Sequence, residues 1–155
     1  MPDTPSNPSL RLSQFLPYRL SVLSNTVSRN IADLYDRAFG ISIWQWRVMA
    51  VLGENSGITA TEIGQVTAMD KVAVSRAVSG LLDSGHIARR ASKEDARRAI
   101  LTLTAKGKEV YDQIVPIALG AERDLVETLS PDEQAQLAVL MEKLARAAEP
   151  DRPLW

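Results

Sequence analysis

The sequence predicts a mainly α-helical protein with one small β-hairpin near its centre. Apolar residues recur at three- and four-residue steps through most of the 155-residue chain, which is the period of amphipathic helices. The stretch 86–104 departs from this period, because apolar and polar residues alternate in parts of it as in short strands. The length indicates one domain or a compact subunit of an oligomer, and 45% hydrophobic residues supply a sizeable core.

The chain begins with a proline-rich segment and a long helix. Residues 1–13 hold three prolines and are predicted to form a flexible arm. An amphipathic helix follows over about 16–38, with Pro17 in its first turn and Gly40 beyond its end. Its predicted buried stripe is Leu16, Leu20, Leu23, Val27, Ile31, Leu34 and Ala38.

Two shorter helices are predicted next, and each opens with a capping box. In this motif a Ser or Thr caps the N–H three residues on, and the Glu or Gln there caps back. The two pairs are Ser42 with Gln45 and Thr59 with Glu62. The first helix runs to about Leu52, and Ile63 and Val66 give the second one buried edge.

A three-residue break at 67–69 separates this helix from the next, which completes a helix-turn-helix. Asp70 is a good N-cap, and Gly85 ends the helix. The predicted buried face is Val74, Ala77, Val78, Leu81 and Leu82. The other face has small or hydrogen-bonding side chains, which let a helix lie close to base edges and phosphates. These candidate DNA contacts are Lys71, Ala73, Ser75, Arg76 and Ser79, with Gly80 beside them.

The segment after Gly85 is predicted to form a hairpin with a basic tip. Residues 86–90 and 99–104 are the two strands, and 91–98 is too polar to be buried. Such a hairpin is a wing, so about 42–104 is predicted to be a winged helix-turn-helix lobe. Candidate DNA contacts in the wing are Lys93, Asp95, Arg97 and Arg98. Arg89 and Arg90 point to opposite faces of a strand, so we expect one of them to face DNA.

Two further helices are predicted within about 105–148. Pro116 predicts a bend in the first, and Ser130 with Pro131 opens the second. Their predicted buried stripes are Val110, Ile114, Ile117, Ala121 and Leu125, then Leu137, Leu140, Met141 and Leu144. Because these helices and the helix 16–38 flank the lobe, a second copy would cover their apolar stripes. We therefore predict a homodimer, with the domain over 14–149 and a tail over 150–155.

Charge is unevenly distributed along the chain. The formal net charge is −1, but residues 71–108 have nine basic and three acidic side chains, a net charge of +6. Residues 109–155 have four basic and ten acidic side chains, a net charge of −6. A positive surface confined to the winged stretch is typical of a nucleic-acid interface.

Composition also excludes several classes of function. The chain has no cysteine and one histidine, which excludes disulfides and argues against a zinc site. We find no catalytic constellation and no phosphate-binding glycine loop, so we expect neither an enzyme nor a cofactor. No apolar run approaches the roughly 20 residues of a membrane span, and the N-terminus lacks the pattern of a signal peptide. The expected location is the cytoplasm.

The central stretch resembles the MarR family of bacterial transcriptional regulators. The matching motifs, in order, are Met69-Asp70-Lys71, Leu81-Leu82-x-x-Gly85, Asp95-x-Arg97 and Leu103-Thr104-x-x-Gly107. The resemblance covers about Leu16 to Ala148 and departs at Ala96, where many members have arginine. It implies a dimer formed by the N- and C-terminal helices that binds a pseudo-palindromic operator. It also implies a repressor relieved by a small aromatic or anionic effector, bound between the dimer helices and the lobe.

Several residue roles have two interpretations. Arg76 suits guanine or a phosphate, whereas Ser79 and Lys71 suit phosphates. Arg97 suits the minor groove or its phosphates, with Asp95 pairing with an arginine to orient the wing, or the two form an ordinary surface ion pair. The effector candidates are Trp44, Trp46 and His86. The alternative interpretation is that the tryptophans fill the core and that the histidine is structural. The alternative function is a winged-helix protein-interaction module without specific DNA binding.

Overall fold

The computed structural model describes residues 9–92, 95 and 97–150. After a short 3-10 turn at Leu12–Gln14, the element order is α1 (Leu16–Phe39), α2 (Ile43–Glu54), α3 (Ala60–Thr67), α4 (Lys71–Asp83), β1 (Ile87–Ala91), β2 (Ala99–Leu103), α5 (Ala105–Val126) and α6 (Pro131–Ala148). This is the predicted mainly α-helical fold, in which a helix-turn-helix and a β-wing lie between longer helices. Within the described ranges, no helix is long and apolar enough to cross a membrane.

The predicted helix starts are confirmed by their hydrogen bonds. Capping boxes open α2 at Ser42, α3 at Thr59 and α6 at Ser130. The Asp70 carboxylate accepts the Ala73 N–H at 2.8 Å at the start of α4. Each cap satisfies a backbone N–H that has no partner within its own helix, which fixes where the helix begins.

The core lies where the end of α1 and helices α2, α3 and α4 meet the sheet and the first half of α5. Its largest fully buried side chains are Tyr35, Ile41, Val48, Met49, Ile63, Leu81, Leu101 and Ile114. The strands pair antiparallel from Ile87–Leu103 to Ala91–Ala99. Residue Ile58, just before α3, bridges to Leu101 of β2. The helix-turn-helix and the wing therefore share one core, which holds them as a unit.

The prediction that Val66 is buried was wrong. The Val66 side chain is 58% exposed, whereas Ile63 is fully buried. The inward line of α3 runs through Ile63, Gly64 and Thr67, and the Thr67 hydroxyl donates to the Ile63 carbonyl at 2.7 Å. Val66 lies outside this line on the short helix, so its side chain points to solvent.

Much of the predicted burial in the long helices is also absent from the single chain. Helix α6 buries none of its residues. Predicted buried leucines that are 44–60% exposed are Leu16, Leu20, Leu23, Leu34, Leu125, Leu137, Leu140 and Leu144, together with Met141. The periodicity correctly predicted the helices, but no element of the described chain covers these stripes. Helix α5 continues through Pro116 to Val126.

Candidate nucleic-acid interface

The turn between α3 and α4 is tight and tied to the core. Helix α3 ends at Ala68, whose backbone is left-handed with φ 53°. Met69 is buried, and Asp70 then caps α4. At Gly64 a Cβ atom would lie 3.5 Å from a Val74 methyl, so α3 and α4 are in close contact. Helix α4 is therefore held with one face against the core and the other toward solvent.

The solvent-facing side of α4 carries most of the predicted contacts. Lys71, Ser75, Arg76 and Ser79 are all exposed. Residues 72, 75, 76 and 79 follow the i, i+3, i+4, i+7 pattern, which places them on one stripe of a helix. We call this set the α4 stripe. Its first member, Val72, is 59% exposed and was not among the predicted contacts, because its side chain is neither small nor hydrogen-bonding.

Two residues that were assigned to the open face of α4 lie elsewhere. Ala73 is half-buried and packs on the core, because it is one turn before the buried Ala77. At Gly80 a Cβ atom would lie 2.7 Å from Gln45 Nε2, so this glycine allows α2 to approach α4 closely. Neither position therefore carries a side chain that projects from the helix as those of the α4 stripe do.

Of the two strand arginines, Arg89 lies on the side of α4, the helix whose exposed face is the predicted DNA contact and which we call the recognition helix. Arg89 lines a groove between α3 and α4 together with Lys71, Ser75 and Ser79. Arg90 does not line this groove, although it is exposed. This agrees with the expectation that only one of the two faces the same surface as α4.

The tip of the wing is shaped by Asp95. One Asp95 carboxylate oxygen accepts the Arg97 N–H at 2.9 Å, and the Asp95 carbonyl accepts the Arg98 N–H at 2.9 Å. The expected pairing of Asp95 with an arginine side chain is replaced by this main-chain contact, since the short aspartate reaches the backbone two residues on. Arg97 itself is exposed. Lys93 and Ala96 lie outside the described residues.

Arg98 contacts α3. Its guanidinium Nη2 lies 2.9 Å from Glu62 Oε1, and both side chains are about half exposed. Glu62 also accepts the Thr59 N–H and hydroxyl, and these bonds, more than Arg98, hold the pKa of its carboxyl below the usual 4.5. The ion pair joins the wing to the start of α3, and it competes with the predicted DNA contact of Arg98.

The three effector candidates do not converge on one pocket. Residues 44 and 46 are about 200° apart around a helix, so they face opposite sides of α2. Trp44 is 45% exposed and lies beside the start of α4. Trp46 is half-buried, with its ring centroid 5.7 Å from those of Tyr35 and Tyr111.

His86 is buried at the junction of α4, β1 and α5. Its Nδ1 lies 2.7 Å from the Ser84 hydroxyl. Burial, and secondarily the charge of Lys106, lowers the pKa of His86 below its usual 6.5. The Lys106 ammonium in turn donates to the Ser84 carbonyl at 2.7 Å. These contacts indicate a structural histidine. Within the described ranges, no cluster of three or more His, Cys, Asp or Glu side chains is arranged to hold a metal ion.

Sequence reasoning missed Arg47, which lies between α1 and α2. Its guanidinium carbon is 5.1 Å from the Trp44 ring centroid, and Nη2 is 3.4 Å from the Ser28 hydroxyl. Burial raises the pKa of the nearby Tyr35 to about 12, against the opposing charge of Arg47. Arg47 is half-buried and has no carboxylate partner in the part of the chain that the structure describes. The Trp44–Arg47 spacing of three on one helix was the available sequence signal.

Comparison with known proteins agrees with this architecture. Residues 39–98 match the family model described as MarR family. The chain is 30% identical over 110 residues to the HTH-type transcriptional regulator BilQ of Clostridium symbiosum, covering 71% of this chain and 76% of that protein. These matches are to transcriptional regulators rather than to enzymes.

Solved structures share the fold over nearly the whole chain. A MarR/EmrR family transcriptional regulator from Acinetobacter sp. ADP1 superimposes with a TM-score of 0.82 at 28% identity, covering 91% of this chain and 99% of that one. The S. aureus MepR–DNA complex superimposes with a TM-score of 0.76 at 23% identity, covering 86% and 98%. The second of these was solved with DNA bound to the same fold.

Proposed function

Because the chain belongs to the MarR family of transcriptional regulators, we propose that it is a homodimeric repressor that binds a pseudo-palindromic DNA site. The observation on which this rests is the α4 stripe, where Ser75, Arg76 and Ser79 are exposed and supply hydrogen-bond donors. Arg89 and Lys71 line the adjoining groove. Donors on a protruding helix match the acceptors on base edges and phosphates in the major groove.

The charge of the lobe supports the same proposal. The net charge of +6 over residues 71–108 covers α4, the wing and the first turn of α5. Binding of these cations to phosphates would release counterions, so affinity would fall steeply as salt rises. Arg97 at the exposed wing tip would contact the DNA phosphates or the minor groove, beside the bases that α4 contacts.

The exposed stripes of α1, α5 and α6 support a dimer. Helix α6 buries none of its residues, so few tertiary contacts stabilise it within a single chain. Pairing with a second copy would remove Leu137, Leu140 and Leu144 from water together. A two-fold dimer would present its recognition helices to major grooves about 34–36 Å apart on one face of the duplex.

The experiment that tests the proposal is a binding titration with the duplex upstream of the protein's own gene. A random duplex serves as the reference, and both are measured at two salt concentrations. We expect selective binding with a steep salt dependence. Equal, weak binding to both duplexes and to a library of genomic fragments would contradict the proposal and favour a protein-interaction module.

Arg76→Ala provides the site-directed arm of this test. We expect its affinity for the selected duplex to fall about 10- to 100-fold, the typical effect of losing a good base contact. The matched control is Arg123→Ala, which removes an exposed arginine from α5, away from α4 and the wing. Equal losses in the two variants would show that only net charge matters.

For the effector, we propose a small aromatic anion bound beside Arg47. A half-buried guanidinium that has no carboxylate partner among the described residues suits an anion, and the Trp44 ring suits an aromatic body. The test screens aromatic carboxylates, beginning with benzoate, for release of the protein from its duplex. We expect the aromatic carboxylate to release wild type and the control variant Arg37→Ala from the duplex, but not to release Arg47→Ala. Equal release of wild type and Arg47→Ala would contradict this site.

A further inference from the structure

The Val72 side chain is apolar, but it is exposed and is not part of the hydrophobic core. Val72 is the second residue of α4, and its side chain is 59% exposed. Valine is a weak helix former, because its branched Cβ loses rotamer freedom against the preceding turn. Unlike the exposed leucines of α1, α5 and α6, it is not on a helix assigned to the dimer. Neither helix formation, core packing nor dimerisation favours valine at this position.

The position of Val72 links it to the proposed DNA surface. It begins the α4 stripe and lies one turn before Arg76, so the two side chains are neighbours on one face. Both residues also line the groove between the starts of α4 and α2. The first turn of a recognition helix is the part that reaches deepest toward base edges.

We propose that Val72 selects thymine by packing on its C5 methyl group in the major groove. This inference rests on the proposed DNA-binding function and specifies part of its sequence preference. Thymine is the only unmodified base of DNA with a methyl group on the major-groove edge. The other bases have no methyl group on this edge, so packing of the valine side chain against them buries less apolar surface and stabilises the complex less.

The geometry of α4 also predicts where this thymine lies. Val72 and Arg76 are separated by about 6 Å along the helix axis, and successive bases by about 3.4 Å. The thymine therefore lies about one or two base pairs from the base or phosphate that Arg76 contacts. Each half-site of the operator has one such thymine.

The test replaces thymine by uracil in the duplex selected by the titration. Uracil keeps every hydrogen-bonding group of thymine and lacks only the methyl. Each thymine of one half-site is replaced in turn, and wild type and Val72→Ala are titrated against every duplex. At one position we expect wild type to lose roughly fourfold in affinity, the effect of one methyl group leaving contact. Val72→Ala should bind the two forms of that duplex equally, which completes a double-mutant cycle.

Val66→Ala is the matched control. Val66 is 58% exposed on the neighbouring α3, but it does not line the groove that Val72 shares with Arg76. It should keep the full sensitivity of wild type to uracil. If wild type tolerates uracil at every position, or Val72→Ala remains as sensitive as wild type, this inference is overturned and the DNA-binding proposal stands. If wild type selects no duplex at all, both are overturned.

Discussion

The Arg98 guanidinium lies 2.9 Å from the Glu62 carboxylate and so joins the wing to the first turn of α3. The two residues are 36 positions apart in the chain. Glu62 is at the same time the capping residue of α3, held by the Thr59 N–H and hydroxyl. Two hydrogen bonds from Thr59 position this carboxylate, so Arg98 joins the wing to a capped helix terminus.

This contact predicts different roles for two adjacent arginines. Arg97→Ala should weaken DNA binding and lower the slope of log affinity against log salt by about one per protomer, as expected for a lost phosphate contact. Arg98→Ala should leave the slope nearly unchanged, because Glu62 already neutralises that guanidinium. Thermal unfolding should change little in either variant, since exposed ion pairs contribute about 0–1 kcal/mol. Salt titrations of both variants check this, and equal slope changes would contradict it.

The role of Asp95 is tested by two substitutions. Its side-chain oxygen accepts the Arg97 N–H at 2.9 Å, so the interaction needs an acceptor and not a charge. Asp95→Asn should therefore retain DNA affinity close to that of wild type. Asp95→Ala should lose affinity several-fold, because the turn that presents Arg97 is no longer held. If Asp95→Asn is as weak as Asp95→Ala in the same titration, the charge of Asp95 matters and the hydrogen bond is not its main role.

Local features of this chain could be predicted from sequence, and distant contacts could not. The caps at Ser42, Thr59 and Asp70 depend on residues three apart, so the sequence alone defines them. The Arg98–Glu62 pair depends on how the wing folds back on α3, which no spacing rule predicts. Trp44 and Trp46 are only two residues apart, but residues at this spacing lie on opposite sides of a helix, here α2.

Burial was harder to predict than secondary structure. A stripe of apolar residues predicts an amphipathic helix, but it does not say which molecule covers the stripe. For Ile114 the cover is the chain's own core, whereas for Leu140 the described chain provides none. Val72 was not predicted as a contact for another reason, because only small or hydrogen-bonding side chains on α4 were considered and valine is neither.

The dimer proposal predicts the behaviour of α6. Leu140 is 55% exposed on the apolar face of this helix. Leu140→Asp should convert the dimer to a monomer, because a carboxylate buried without a partner at the interface is strongly unfavourable. Ala135→Asp places the same charge on the opposite face and should remain dimeric. Sedimentation velocity distinguishes the two. A Leu140→Asp variant that stays dimeric would show that the copies pair elsewhere.

The stability of the protein should depend on pH through His86. Its pKa is lowered in the folded state, chiefly by burial, so the unfolded chain binds a proton first as pH falls. The free energy of unfolding should be highest above the ordinary value of 6.5 and decrease as pH drops below it. The pKa values of Glu62 and Glu133 are also lowered from 4.5, so both carboxyls titrate below the pH range in which the effect of His86 is measured. Urea unfolding at about pH 7.5 and 5.5 measures the difference. The difference in the free energy of unfolding between the two pH values should be smaller in His86→Asn than in wild type. An unchanged difference in that variant would show that other groups cause the pH dependence.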